Sequence, residues 1–430
     1  MILRDPVHGL LAFESEEALI VPRLLETPEV QRLRRVRQLG VTSLAFPGAE
    51  HTRFAHALGA AGVMLCLLRR FRDADAVLPF WQRVSSDRAQ DALAAALLHD
   101  IGHGPLSHLF ESVLPCMPHH EAWTDRLLLD PGTDVHRALA AGDPGRPERV
   151  ARLIRGEHEL PYLARSVSGT FDVDRCDYLL RDAHATGVRH GHFDLDWLLR
   201  SLRFGPPASP DAAPPLAVDG AKGLVAVEEF VLARLFMFQQ VYFHKATRAA
   251  EWMIRTALAL AAREAADGRP PASLPPALAT AARGEAPSLG DYLELDDAVL
   301  WQALHAWEQS PHPELADLCR RIRARSLFKT LELFGPQREP AARARALDVA
   351  RDIARANGLD PDLYVGLDIA EDTPFDEADH PPLVAFSKGP PRALTDVSFL
   401  LRRLAGERIE KVRLLFAPEL RDSIVAALTP

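Results

Sequence analysis

The chain has 430 residues, a formal net charge of −9 and a pI near 6.0. That balance argues against a surface for bulk nucleic acid, which is normally basic, while a local cluster of arginines and a metal still admits a small anionic ligand. Four scattered cysteines with no CxxC pair, no apolar N-terminal segment and a longest apolar run of only Gly59 to Leu68 argue against a disulfide framework and against a membrane span. The chain therefore reads as cytoplasmic, with reduced core thiols.

Residues 1–13 read as a strand or loop entry. The stretch PEVQRLRRVRQL (28–39) opens on proline and repeats Val30, Leu33, Val36 and Leu39 at helical period. Its Arg32, Arg34, Arg35 and Arg37 read as a solvated basic face. Residues 51–71 are apolar almost all round, which marks a buried helix, and so are residues 87–99, ended by Gly102, Gly104 and Pro105. Helical pattern continues at 107–114, 121–129, 148–155, 174–184, 193–202 and 226–264. Two stretches break it. Residues 203–225 read as a β-hairpin turning at Asp219-Gly220, and 265–290 as a Pro- and Gly-rich loop. In the tail, 363–371, 382–388 and 411–418 read as strands, with helices at 394–406 and 418–428. The prediction is a mainly α fold: a helical core over 1–335 with a small β-hairpin, and a C-terminal α+β lobe over 336–430.

The chemistry concentrates in AALLHDIGHGPLSH (95–108). It drives His99 and Asp100 to the end of a buried helix, a costly placement unless something pairs with them. His56 lies inside another apolar helix, and Asp174 opens DVDRCDYLLRDAH. Two imidazoles and two carboxylates, each from buried helical sequence, make a mixed nitrogen and oxygen set. Such a set suits Mn, Mg, Fe, Ni or Zn and leaves positions open for water and substrate. His108 and Glu111 stand at i, i+3, the spacing of a proton donor steadied by a carboxylate. HHEAW adds His119, His120 and Glu121, and Asp174, Asp177, Tyr178, Arg181 and Asp182 form a polar stripe suited to a pocket wall. The bland alternatives are a hydrogen-bonded core histidine, an exposed helix pair and a solvated helix face.

The ordered phrases DPVHG, QRLRRVRQLGVTSLAFPGAEHTRFAHALG, LLHDIGHGPLSHLFE, HHE, DVDRCDYLLRDAHATGV and VYFHKATRAAEWMI together resemble the HD-domain phosphohydrolases. They resemble most the deoxynucleoside triphosphate triphosphohydrolase branch. The resemblance is dense over about 1–260 and returns in RALTDVSFLLRRL and EKVRLLFAP. It implies that His56, His99, Asp100 and Asp174 hold a divalent metal. It implies proton donation by His108 with Glu111, and phosphate-facing roles for His103 and His120. Arg53, Arg175, Tyr178 and Arg234 match phosphate-side contacts, with a Lys more usual where Arg175 stands. Gln38, Leu39 and Asp182 match the sugar pocket, and Tyr242 matches a residue near the base. Members of the branch form dimers or tetramers, some with a nucleotide activator. The stretch LFMFQQ before Val241 is less basic than its counterpart in better-known members.

Three functions compete. The first is hydrolysis of a dNTP to a deoxynucleoside and inorganic triphosphate. The second is phosphohydrolysis of another phosphorylated nucleotide or analogue. The third is non-catalytic binding of a nucleotide or single-stranded nucleic acid, motivated by the arginines of 32–37.

Overall fold

A computed structural model describes the chain apart from residues 107–110, 112, 115, 208, 210, 377–380 and 429–430. Strands β1 (Ile2–Asp5) and β2 (Gly9–Ala12) pair antiparallel with Asp5 opposite Gly9. Gly9 takes φ 73°, a left-handed conformation open to glycine at little cost. Helix α1 (Pro28–Arg32) is short and tightens into a single 3₁₀ turn to Arg35, so only the first half of the expected 28–39 helix forms. An antiparallel bridge between Arg37 and Thr52 then aims the chain into α2 (Arg53–Ala74).

Helix α2 is the axis of the core. By length and hydropathy it could cross a membrane, but 78% of that apolar window is buried inside the protein. It packs against α3 (Ser86–Leu98), whose Ala92, Ala94, Ala95 and Ala96 are fully buried and let the two backbones approach closely. Helix α4 (His120–Leu129) follows, and α5 (Val173–Thr186) closes on the other side of α2.

The expected hairpin about Asp219-Gly220 does not form: its first arm is a strand, but its second arm opens a helix, and the strand pairs with a segment that precedes it. Strands β3 (Leu202–Phe204) and β4 (Leu216–Asp219) pair antiparallel across a long connection. Asp219-Gly220 instead leads into α6 (Leu224–Met237): the Asp219 carboxylate accepts from Ala221 N at 3.0 Å, and a Cβ on Gly220 would meet the Phe386 ring at 2.5 Å. The sequence 226–264 is two helices, not one. A π-helical turn, Phe238–Tyr242, separates α6 from α7 (Lys245–Ala266). The expected 265–290 loop contains a helix at Pro276–Ala282.

A third sheet has the order β5 (Lys329–Leu333), β8 (Ile409–Phe416), β6 (Val365–Asp372), all antiparallel. Strand β7 (Leu383–Ala385) leaves that lobe and pairs in parallel with β4. The core under this third sheet combines Trp252, Met253 and Ile254 of α7 with Trp307, Phe328 and Leu414, so it draws on both sides of residue 335.

Two expectations about side chains change. The arginines of 32–37 are a solvated face only in part: Arg34 and Arg35 are exposed, Arg35 pairing with Asp296, Arg37 is half-buried and pairs with Glu50, and Arg32 is buried. Cys176 and Cys319 are core thiols, but Cys66 is exposed and Cys116 half-buried.

Candidate active site

Three helix ends converge. The first turn of α2 carries Arg53 and His56, one turn apart on the same face, behind the Thr52 cap that accepts from Ala55 N. The last apolar turn of α3 delivers His99 and Asp100, with His99 N still bonded to Ala95 O at 3.0 Å. The first turn of α5, capped by Asp172, carries Asp174 and Asp177. A cation is favoured at the C-terminal end of α3, and anions at the N-terminal ends of α2 and α5. One small volume therefore suits a metal beside a phosphate.

His56 Nε2 lies 3.2 Å from His99 Nε2 and 3.1 Å from Asp174 Oδ1, and His99 Nε2 lies 3.4 Å from the same oxygen. The second nitrogen of each ring is committed: His56 Nδ1 faces Asp177 Oδ2 at 2.7 Å, and His99 Nδ1 faces Ala96 O at 2.9 Å. Those partners only accept, so both Nδ1 atoms carry the proton and both Nε2 lone pairs face each other and a carboxylate. Three lone-pair donors at this spacing repel unless a cation sits among them. Bonds of about 2.1 Å to a divalent ion place neighbouring donors about 3.0 Å apart in an octahedron and about 3.4 Å apart in a tetrahedron. The three donors fit a metal. Asp100 stands beside them, 3.8 Å from His56 Nε2 and 3.6 Å from His99 Nε2, while its carboxylate takes a hydrogen bond from Arg53 Nη1.

The electrostatics agree. Burial works against a charge on His56, but hydrogen bonds to Asp174 and Asp177 outweigh it and lift the imidazole to about 10. Against the cost of burial, Arg53 and then His99 hold the Asp100 carboxyl well below the usual range. The field that would hold a proton here attracts a divalent cation more strongly.

Next to this cluster the turn 102–105 is pinned. Gly102 N donates to Thr124 Oγ1 at 3.1 Å, and Tyr292 OH donates to Gly102 O at 2.6 Å. Arg32 Nη1 donates to His103 O at 2.8 Å. A Cβ on Gly102 would meet His120 O at 2.1 Å, so this approach requires glycine. The rings of His103 and His120 stack with centroids 3.9 Å apart. Burial, reinforced by Arg53, pushes His103 down to about 3, which keeps it neutral at pH 7. The Glu111 carboxylate accepts from His120 N at 3.0 Å, His120 Nδ1 at 2.9 Å and His119 Nδ1 at 3.0 Å. His108 lies outside the described residues.

A family model described as the HD domain matches residues 53–182, from Arg53 to Asp182, and one described as the HD associated region matches 194–269. The YwfO protein of Bacillus subtilis is 34% identical over 426 residues, spanning 97% of this chain and 92% of that protein. This chain belongs to the HD-domain phosphohydrolases. Another relative is the deoxynucleoside triphosphate triphosphohydrolase SAMHD1 of Gallus gallus, 30% identical over 235 residues that make up 47% of this chain and 36% of that protein. The crystal structure of a phosphohydrolase from Bacteroides thetaiotaomicron matches with a TM-score of 0.81 at 27% identity, covering 97% of this chain and 99% of that one. A hypothetical protein from Aquifex aeolicus matches with a TM-score of 0.74 at 26% identity, over the whole of both chains. As a member of this family, the HD-domain protein is a hydrolase with a divalent-metal cofactor.

Beside the metal site of this phosphohydrolase lies a cleft of about 520 Å³, walled by Gln38, Leu39, Arg53, Leu106, Tyr242 and Thr247 among others. Arg53 links cleft and metal cluster, since it lines the one and bonds Asp100 of the other. The buried Gln38 Oε1 and Thr247 Oγ1 have no hydrogen-bond partner among the described residues. Tyr242 OH donates to Asp182 Oδ2 at 2.7 Å, His51 Nε2 lies 2.8 Å from Asp182 Oδ1, and Tyr178 meets Tyr242 edge-on at 6.4 Å. Arg175 and Arg234 are not among the described walls of the cleft. Arg175 bonds Asp172 and Gly169 O, and Arg234 pairs with Asp372 at 2.9 Å. Sequence reasoning names Asp177 only as part of a stripe and assigns nothing to His8, His51 or Tyr292. The one available signal is their place inside the quoted phrases, which His8 and His51 share and Tyr292 does not.

Proposed function

We propose that this HD-domain hydrolase cleaves a deoxynucleoside triphosphate to a deoxynucleoside and inorganic triphosphate. The observation that carries the reading is the cluster of His56, His99 and Asp174 beside a nucleotide-sized cleft, with Arg53 common to both. His56, His99, Asp100 and Asp174 would hold the divalent ion, Mn, Mg, Fe, Ni or Zn. Such an ion lowers the pKa of a bound water toward neutrality and screens phosphate charge.

The chain's own groups supply the rest. Arg53 presents its guanidinium to the phosphate nearest Asp100. Neutral His103 and the stacked His120 line the same approach, with His120 held in one orientation by Glu111. Proton delivery to the departing 5′-oxygen falls to His108, an assignment that rests on the resemblance. Gln38, Leu39 and Asp182 take the sugar, and Tyr178 with Tyr242 bounds the space near its 2′ carbon. The same reading places the protein in the cytoplasm as a dimer or tetramer, with a nucleotide activator as a further partner.

A second reading, phosphohydrolysis of a nucleotide with fewer phosphates, is favoured by the internal pairing of Arg175 and Arg234, which removes two cations from triphosphate binding. Product analysis separates the two. Purified protein with Mn²⁺ or Mg²⁺ should release triphosphate from a dNTP, and an Asp174→Asn variant should not. Release of phosphate or pyrophosphate alone would overturn the first reading.

A further inference from the structure

The turn DPVH, residues 5–8, joins β1 to β2 and is no part of the metal set. Asp5 Oδ1 accepts from Val7 N and His8 N, both at 2.9 Å, and this fixes the turn and the direction of the His8 side chain. His8 Nε2 then lies 2.6 Å from Asp177 Oδ1. Asp177 is fully buried and its two oxygens meet four donors. Oδ1 takes His8 Nε2 and Arg181 Nη2, and Oδ2 takes His56 Nδ1 and Arg181 Nε. Arg181 is shared with Asp5 Oδ2 at 2.8 Å, so the hairpin is tied to this carboxylate twice. Space for the arrangement comes from α2: a Cβ on Gly59 would sit 1.8 Å from Asp177 Oδ1.

We propose that His8 is a positioning residue for the metal centre: by donating Nε2–H to Asp177, it locks the carboxylate that orients His56. A carboxylate behind a metal-binding imidazole fixes its tautomer and rotation and raises its basicity. Asp177 can do so only while it cannot swing. On Oδ2 it is held by His56 and Arg181. On Oδ1, loss of the His8 ring leaves one donor and opens the oxygen to the cavity of about 400 Å³ that borders His8, Leu11, Cys66 and Leu180. Water entering there competes for the carboxylate, and His56 loses its fixed Nε2 direction. The N-terminal hairpin thereby sets how tightly the site binds its ion, although none of its residues reaches the ion.

The test uses the full chain, freed of metal, and Mn²⁺ as the probe. Affinity is read by competition with a fluorescent chelator, and Tm is read with and without Mn²⁺. His8→Ala should weaken Mn²⁺ binding by about 10-fold, at the lower end of the effect of removing such partners. The metal-free Tm should fall less than the Tm of the Mn²⁺-loaded protein. His8→Gln keeps an N–H donor and should recover most of the lost affinity. The proposal is overturned if His8→Ala binds Mn²⁺ as the parent does. It is equally overturned if Ala and Gln variants lose the same affinity. Should His8→Ala fail to fold, the Gln variant decides alone, and wild-type affinity supports the donor role while a large loss overturns it. No nucleotide enters the measurement, so the outcome is independent of the substrate assignment.

Discussion

Arg32 offers the sharpest check on how the turn 102–105 beside the candidate metal site is built. Its guanidinium is buried, lies 5.3 Å over the Tyr292 ring and donates to two backbone carbonyls: His103 O at 2.8 Å and Leu295 O at 2.8 and 3.1 Å. Arg32→Met keeps a long side chain but removes every donor. Each carbonyl left without a partner in the interior costs roughly 1–3 kcal/mol, about 2–6 kcal/mol for the two. Relief from burying the guanidinium offsets part of this, so the net loss should be about 2–4 kcal/mol. Turnover should also fall, because the His103 carbonyl then loses its side-chain donor, although its N still bonds Asp100 O and Gly102 is still held by Tyr292 and Thr124. A displacement of about 1 Å at such a group can cost on the order of 100-fold in rate. The assay pairs urea unfolding with kcat/KM on the best dNTP, for Arg32→Met, Tyr292→Phe and the double variant. Because both residues hold one turn, their effects should not add. Wild-type stability with lost turnover would place Arg32 on the substrate and refute the reasoning. So would an unchanged protein on both counts.

Two further outcomes follow from the geometry. Burial alone would raise Glu111, but its hydrogen bonds from His119 and His120 dominate and hold it at about 2, below its ordinary 4.5. Its ionised form therefore stabilises the fold above pH 4.5, and that contribution is lost as pH falls from there toward 2. Tm measured across this window should decline less in Glu111→Gln than in the parent; parallel curves would contradict the assignment. Gly59→Ala should destabilise the chain by about 1–3 kcal/mol or more, the range for overpacking a core. It should also reduce Mn²⁺ affinity, because the methyl would displace Asp177; an alanine variant with parental Tm and affinity would refute that packing.

The candidate metal donors stand out in the sequence for a physical reason. His99 and Asp100 are polar groups stranded at the end of an apolar run, and His56 is a polar group inside one. Each is costly to bury alone. The tail strands are legible because β6 and β8 are short stretches rich in β-branched and apolar residues, with Val365, Leu367 and Ile369 in one and Val412, Leu414 and Phe416 in the other. What periodicity cannot carry is pairing at a distance. Asp177 looks like one more polar residue on a stripe until His8, 169 residues away in sequence, and His56, 121 away, are brought to its two oxygens. Asp219-Gly220 has the composition of a hairpin turn, yet the partner that decides it is Phe386. Arg32 is the clearest case. A helix with four arginines reads as a solvated face, because an exposed guanidinium and a buried one have the same local sequence. The deciding groups are the carbonyls of His103 and Leu295, and backbone carbonyls leave no mark in composition. Arg35 and Arg37 follow the same logic through Asp296 and Asp297, which sit together some 260 residues away. Of the basic stretch that suggests a nucleic-acid surface, Arg32 is thus turned inward onto the backbone of the 102–105 turn, while Arg34 and Arg35 stay on the surface.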